Sequence, residues 1–332
     1  MASMSDRRRI NGPSGGTAPP IFASTLVAPE LLQSQRPVRT RKPDELRKIF
    51  LKTGITPSAS GSAYLELETP PPTKRLKTSQ TSNFLPPTSS LKISCSVHGP
   101  RPLPRSAAYN SSLVLTTHIK FAPFAARHRR GYVRDSTERD LGAHLETALR
   151  GIIIGERWPK SGVDVIITVL EGEEDRWWGD ELSGGSTGVG GIGGWGMMSV
   201  LAGCITVSSA ALVDAGIDCV DMISGGVAAI IRNPSESSSK EGQGTTILDP
   251  CPAEHAQVVA ACVVGYLGER DEITELWLKG DAGPSSEELV DKAIEAAIAT
   301  RSVLVDAVME TAKRKFPGLA DVEKAEDVEM KG

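Results

Sequence analysis

GVGGIG, residues 188–193, has the form G-x-G-x-x-G, and its reading decides between two folds. As a tight turn from a strand into a helix it would cradle a pyrophosphate, and the chain would be a doubly wound nucleotide-binding protein. As an inserted loop it carries no such meaning. A dinucleotide turn needs its first glycine at the strand end. The nearest strand pattern, VDVIITVL (163–170), stops well before Gly188, and EGEEDRWWGDELSGGST (171–187) intervenes. The following helix pattern starts near Met198. Asp214 lies about 20 residues beyond Gly193, but inside the helix pattern AALVDAG, whereas a ribose-binding acid belongs at the end of the next strand. No G-K-S or G-K-T accompanies a P-loop. The stretch therefore reads as an insertion, with Trp177 and Trp178 as candidate anchors for a neighbour.

Around it, 332 residues make one large domain or two. The chain is 39% hydrophobic and 23% charged, with a formal net charge of -4, so any nucleic-acid contact must be local. The five cysteines, Cys95, Cys204, Cys219, Cys251 and Cys262, form no C-x-x-C and no even set. They read as buried thiols of a reducing compartment. No 18-residue apolar span and no secretory segment is expected, which places the protein in the nucleus or cytosol.

Residues 1–38 are Gly-, Pro-, Ser- and Arg-rich without apolar period and read as a disordered basic tail. Order begins near RKPDELRKIF (41–50). SGSAYLELE (60–68) and LKISCSV (91–97) alternate as strands of a hairpin with a proline-rich insertion near 69–90 between them. PTKRLK within it has the look of a nuclear-import signal. SLVLTTHIKF (112–121) is a third strand. A helix of about five turns follows, with Asp135 and Glu138 at capping-box spacing and Leu141, Leu145, Leu149 and Ile152 on one face. VDVIITVL reads as a strand buried on both faces.

After the second insertion (172–197) comes the small, apolar helix MSVLAGCITVSSAALVDAG, with Gly216 as its C-cap. DCVDMI and GVAAIIR read as short strands, 233–244 as a third insertion, and AQVVAACVVGYL with DEITELWLKG as a hairpin. A long final helix opens at Ser285 and Glu288, read as a capping box. Residues 317–332 form a charged tail. The fold class is α/β, an α+β layered arrangement of mixed sheets packed against helices.

Five phrases in order resemble the RNase PH family: RKPDELRKI, GSAYLELE with ISCSVHGPRP, ERDLGAHLETALRGIIIGERWPKSGVDVIITVLE, ITVSSAALVDAGIDCVDMI, and ILDPCPAEHAQ. The resemblance spans about residues 41–316, with 39–316 as the expected domain, and implies an RNase PH-like, ribosomal protein S5 domain 2-like fold. FAPFAARHRRGY and the helix beginning ERDLG resemble a ring subunit of the eukaryotic exosome.

Active members of that family split RNA from its 3′ end with phosphate. Their phosphate-holding Gly-Arg-Thr falls here on Ser136, Thr137 and Glu138. A carboxylate at that place repels phosphate; two unit charges at about 4 Å cost roughly 4 kcal/mol near a surface. The first catalytic aspartate falls on Thr168, and the second falls on Glu173 or is shifted into the insertion. The resemblance thus implies no catalytic residues, no cofactor and no metal, with an active phosphorolytic 3′–5′ exoribonuclease as the alternative. The acidic stretch Glu171, Glu173, Glu174 and Asp175 reads as a solvated loop. The five histidines, His98, His118, His128, His144 and His255, show no paired metal spacing. Arg127, Arg129, Arg130 and Arg134, interleaved with Phe121, Phe124 and Tyr132, are candidate RNA contacts. The implied partners are other RNase PH-like ring subunits, S1/KH cap subunits, exosome-associated nucleases and RNA in a central channel, with no membrane. The implied location is nucleus, nucleolus and cytoplasm.

Overall fold

The computed structural model of the chain describes residues 36–69, 90–126, 130–131, 133–175, 177, 194–232, 244–255 and 257–316. GVGGIG, PTKRLK, Tyr132, Trp178, His128, residues 1–35 of the expected N-terminal tail and the whole C-terminal tail lie outside these residues; Arg36, Pro37 and Val38, expected as the end of the N-terminal tail, are described, with Pro37 buried and Arg36 bonded to Ala253 O.

Five strands form the first sheet: β1 (Ile49–Thr53), β2 (Gly61–Leu67), β3 (Lys92–Pro102), β4 (Val114–Phe121) and β5 (Ser161–Glu171). Their order is β1-β2-β3-β5-β4. The pair β4–β5 is parallel and the others are antiparallel. The expected β2–β3 hairpin forms with Leu65 opposite Ile93 and Ala63 opposite Cys95. All four side chains are buried, as the alternation requires. β1 was not foreseen; five residues carry too short an alternation to stand out. Parallel neighbours need a crossover, and α1 (Ser136–Arg150) supplies it between β4 and β5. Its 15 residues make about four turns rather than five.

The helix α2 (Gly196–Asp214) starts two residues earlier than expected. It is long and apolar enough to cross a membrane, with mean hydropathy 1.8, so the expectation of no such span is corrected. That window is 94% buried inside the fold, because α2 lies between two sheets. At its end the amide of Gly216 (φ +70°) donates to Val213 O and that of Ile217 to Leu212 O. This is a Schellman ending, which needs a residue tolerant of positive φ.

The second sheet is antiparallel, in the order β7-β6-β8-β9. Its strands are β6 (Ile223–Ile231), β7 (Thr245–Leu248), β8 (Val258–Leu267) and β9 (Glu272–Gly280). The two short strands expected at 218–232 are one strand, β6, preceded by an isolated bridge from Cys219 to Ile153. β8 and β9 form the expected hairpin. The last helix, α3 (Ser286–Lys315), is 30 residues long; Ser285 makes no side-chain cap bond, so the expected capping box is absent there. A short 3-10 turn, Gly283–Ser285, leads into it instead.

The layers run first sheet, α2 with α1, second sheet, α3. Two adjacent glycines of β6 show the sandwich. A Cβ on Gly225 would strike Ala202 of α2, and one on Gly226 would strike Ala293 and Ala297 of α3. Neighbouring strand residues point to opposite faces, so both faces of this sheet are pressed by a helix. The first sheet has helices on one face only. Val163, Val165, Ile167 and Val169 of β5 are therefore fully buried, while Asp164, Thr168 and Leu170 are half-buried and Ile166 is 38% exposed. The expectation that β5 is buried on both faces is corrected for this reason.

Candidate functional site

The parallel strands β4 and β5 end at Phe121 and Glu171, beside the start of α1. The capping box read from the sequence is present: Asp135 accepts from Glu138 N, and Glu138 accepts from Asp135 N. Glu138 does more than cap. Its two oxygens also accept from Lys120 Nζ at 2.9 and 3.0 Å and from Phe121 N at 2.9 Å, and the residue is 1% exposed. Asp135 is held below the ordinary carboxylate range. Burial pushes it up, but bonds from Glu138 N and Thr137 and the charges of Arg130 and Lys120 outweigh that. The donors and the positive dipole end that a helix start offers to an anion are thus taken by two of the chain's own carboxylates.

The basic run divides. Arg127 and Arg129 lie outside the described residues. Arg130 folds inward, with its guanidinium 4.2 Å from the Phe121 ring centre and Nη1 3.1 Å from Asp135 Oδ2. Its side chain is 12% exposed. Arg134 stays at the surface, where Nη1 meets His118 Nδ1 at 2.8 Å. Phe124 is exposed. Arg130 and Arg134 are thus not presented side by side.

Thr168 faces the open side of β5, opposite Ser94 of β3 and Lys120 of β4, with no acid in that row. Glu173 is the opposite of a solvated acid. It is 1% exposed and ion-paired with Arg47, whose Nε and Nη2 each lie 2.7 Å from Asp249. Glu174 and Asp175 are also buried, and Asp175 Oδ1 accepts from Gly196 N at the start of α2. Only Glu171 remains half-open, bonded to Ser90 N and Lys92. The solvated-loop expectation is therefore corrected. Trp177 is 2% exposed, so the expected exposed tryptophan pair does not hold for it.

Burial drives the Glu173 carboxyl upward, and Arg47 offsets this in part. Burial acts on Asp249 too, but the Arg47 charge and its side-chain and backbone bonds prevail and hold it at about 2. A guanidinium shared by two buried carboxylates is a structural clamp. Among the described residues no three His, Cys, Asp or Glu side chains are grouped to hold a metal ion. His144 bonds Glu275 at 2.7 Å and stacks on Trp277.

Sequence reasoning missed the clamp as a whole. Arg41 pairs with Glu254 at 2.9 Å, and Arg39 donates to five carbonyls, including Leu248 O and Asp249 O. The available signal was charge complementarity between the arginine-rich opening, 36–47, and the acid-bearing turn LDPCPAE (248–254).

Two sheets enclosing a buried helix, the second backed by a long C-terminal helix, with the strand-end site filled by internal ion pairs, define a scaffold of the RNase PH class. The 3′ exoribonuclease family, domain 1 (RNase PH), matches residues 45–218. The chain is 50% identical over 317 residues to exosome complex component MTR3 of Chaetomium thermophilum, covering 93% of this chain and 99% of that one. It is 30% identical over 320 residues to exosome complex component mtr3 of Schizosaccharomyces pombe, covering 95% and 100%. The solved structure of rice (Oryza sativa) Rrp46 shares the fold, with TM-score 0.56 at 16% identity over 81% of this chain and 98% of that one. The chain belongs to the RNase PH family.

Proposed function

We propose that the chain is a non-catalytic structural subunit of the exosome core ring, of the MTR3 type, which takes part in 3′–5′ RNA processing and degradation by guiding RNA to partner nucleases. The observation that carries the loss of catalysis is Glu138. At the helix start where a phosphate-using relative needs cations and free N–H groups, a buried carboxylate already occupies them. An incoming phosphate would find the nearby cations already paired with the chain's own acids, Lys120 with the buried Glu138 and Arg130 with the exposed Asp135. The second catalytic position, Glu173, is committed to Arg47.

Its relatives of 50% and 30% identity are named exosome complex components, which supports a place among ring subunits. S1/KH cap subunits, associated nucleases, RNA in the channel, rRNA processing, and residence in nucleus, nucleolus and cytoplasm belong to the same proposal. Arg134 at the surface, with the basic run before it, is the proposed RNA-facing element. The test has two arms. Affinity isolation of the tagged chain should recover other RNase PH-type subunits and S1/KH subunits. The purified chain, given RNA and inorganic phosphate, should release no nucleoside diphosphates. Recovery of the chain without ring subunits would remove the assembly claim, and phosphate-dependent release would remove the non-catalytic one.

A further inference from the structure

Where α2 crosses β6 and α3, its side chains are small. Ser199, Gly203 and Thr206 follow one another along one face of the helix. With Gly225 and Gly226 of β6 and Thr300 of α3 they leave a cavity of about 40 Å³. Asp249, a partner of Arg47 in the clamp, forms part of its wall. A hydroxyl inside a helix commonly gives its proton to the carbonyl four residues back. Thr206 does so to Ala202 O and Thr300 to Ala296 O. Ser199 does not. It is 4% exposed, and its Oγ makes no hydrogen bond.

A second orphaned atom belongs to the clamp itself. Glu173 meets Arg47 through Oε1, while its Oε2 is buried without a partner. Burial pushes the Glu173 carboxyl upward, and Arg47 and then Ser199 favour its ionised form. Ser199 therefore lies near the carboxyl, yet the two close no hydrogen bond with each other. A polar contact just beyond bonding distance is what an intervening water completes. Leaving both atoms unpaired would forfeit their hydration with nothing in return.

The volume limits the occupant. One water needs roughly 10–15 Å³, and a cavity that takes a benzene ring has about 150 Å³. At about 40 Å³ the space admits one or two waters and excludes a phosphate or an organic ligand.

We infer that this cavity holds a buried water that accepts the Ser199 O–H and donates to Glu173 Oε2 and Asp249 Oδ1. The lone pairs balance. Asp249 Oδ1 accepts from Arg47 Nη2 and has one lone pair to spare. One accepted and two donated bonds make the usual three of an internal water. Two carboxylates that share one guanidinium thereby gain a neutral donor between them. The water is a component of the clamp, and it does not depend on the ring assignment.

Two measurements on the full chain test this. A high-resolution crystal structure should show a water within about 3 Å of Ser199 Oγ, Glu173 Oε2 and Asp249 Oδ1. Deuteron relaxation dispersion in solution, which counts long-lived internal waters, should find one fewer in S199V, whose branched side chain enters the cavity and cannot donate. T300V should lose none, because that hydroxyl gives its proton to its own helix. A dry cavity, a direct Ser199–Glu173 hydrogen bond, or equal counts in wild type and S199V overturns the inference, as does a loss in T300V alone. Should S199V fail to fold, S199A is read in its place. It keeps the space and removes one of three bonds, so the residence time of the water should shorten by about five-fold; an unchanged residence time overturns the inference as well.

Discussion

Arg47 and Asp249 stand 202 residues apart in the chain and meet through two side-chain hydrogen bonds of 2.7 Å and a backbone one of 2.9 Å. The same guanidinium reaches Glu173, two residues beyond the end of β5. One buried side chain thereby joins the opening segment, the exit of β5 and the turn after β7.

Replacement of Arg47 by Met should destabilise the fold by about 3–5 kcal/mol, since it leaves buried carboxylates without their counter-charge. Urea unfolding followed by circular dichroism measures this. A loss under about 1 kcal/mol would show that the clamp is dispensable.

Acid should weaken the protein through Asp249. Its folded pKa, about 2, lies below its ordinary 3.8, so its contribution is fully present above about pH 4 and is lost as pH falls through 2. At 1.36 kcal/mol per unit the loss is about 2 kcal/mol. Glu173 acts in the other direction. Its folded pKa is raised, so what it contributes is greatest below the ordinary 4.5 and declines as pH rises above it. Urea midpoints recorded from pH 5 to pH 2 should fall for wild type, and D249N should show a flatter acid limb. Parallel curves for the two proteins would contradict the assignment.

Glu138→Ala should cost about 1–3 kcal/mol, because Lys120 Nζ and the amides of Phe121 and Asp135 lose an acceptor in a site with little access to water. Asp135→Ala should cost about 1 kcal/mol, an ordinary N-cap loss. Thermal unfolding of both variants tests the order; a larger effect at Asp135 would mean that Glu138 is only a cap.

The insertion should be removable. Asp175 and Gly196 are already joined by a 3.1 Å hydrogen bond, so the loop leaves and returns at one point. Exchanging residues 179–192 for a short Gly-Ser linker should change stability by less than about 1 kcal/mol, since closure entropy varies slowly with loop length. A drop of several degrees in Tm would reveal packing by the excised residues.

Gly226→Ala should cost about 3 kcal/mol, at the upper end for overpacking, because the added methyl group meets backbone atoms of α3 rather than a movable side chain. Equilibrium unfolding reports it, and a neutral result would mean that α3 can shift away from the sheet.

The alternation of 60–68 and 91–97, the α1 capping box and the small-residue helix α2 were legible because each is a local periodicity that backbone geometry imposes. Other features were not legible. Glu173 looked solvated because its neighbours in the chain are acidic and polar, while its partner Arg47 lies 126 residues away. Arg130 looked like a surface cation, yet the Phe121 ring and Asp135 draw it inward. β5 looked buried on both faces because β-branched composition does not say how many faces a sheet has covered.

By itself, then, the sequence determined the elements, most of their order and the charge at the strand-end site, since these depend on spacing along the chain. Only the tertiary structure decided which charges are buried, which face of β5 is open and which arginines bind the chain itself. Burial and ion pairing depend on distances between segments that the chain brings together only when it folds.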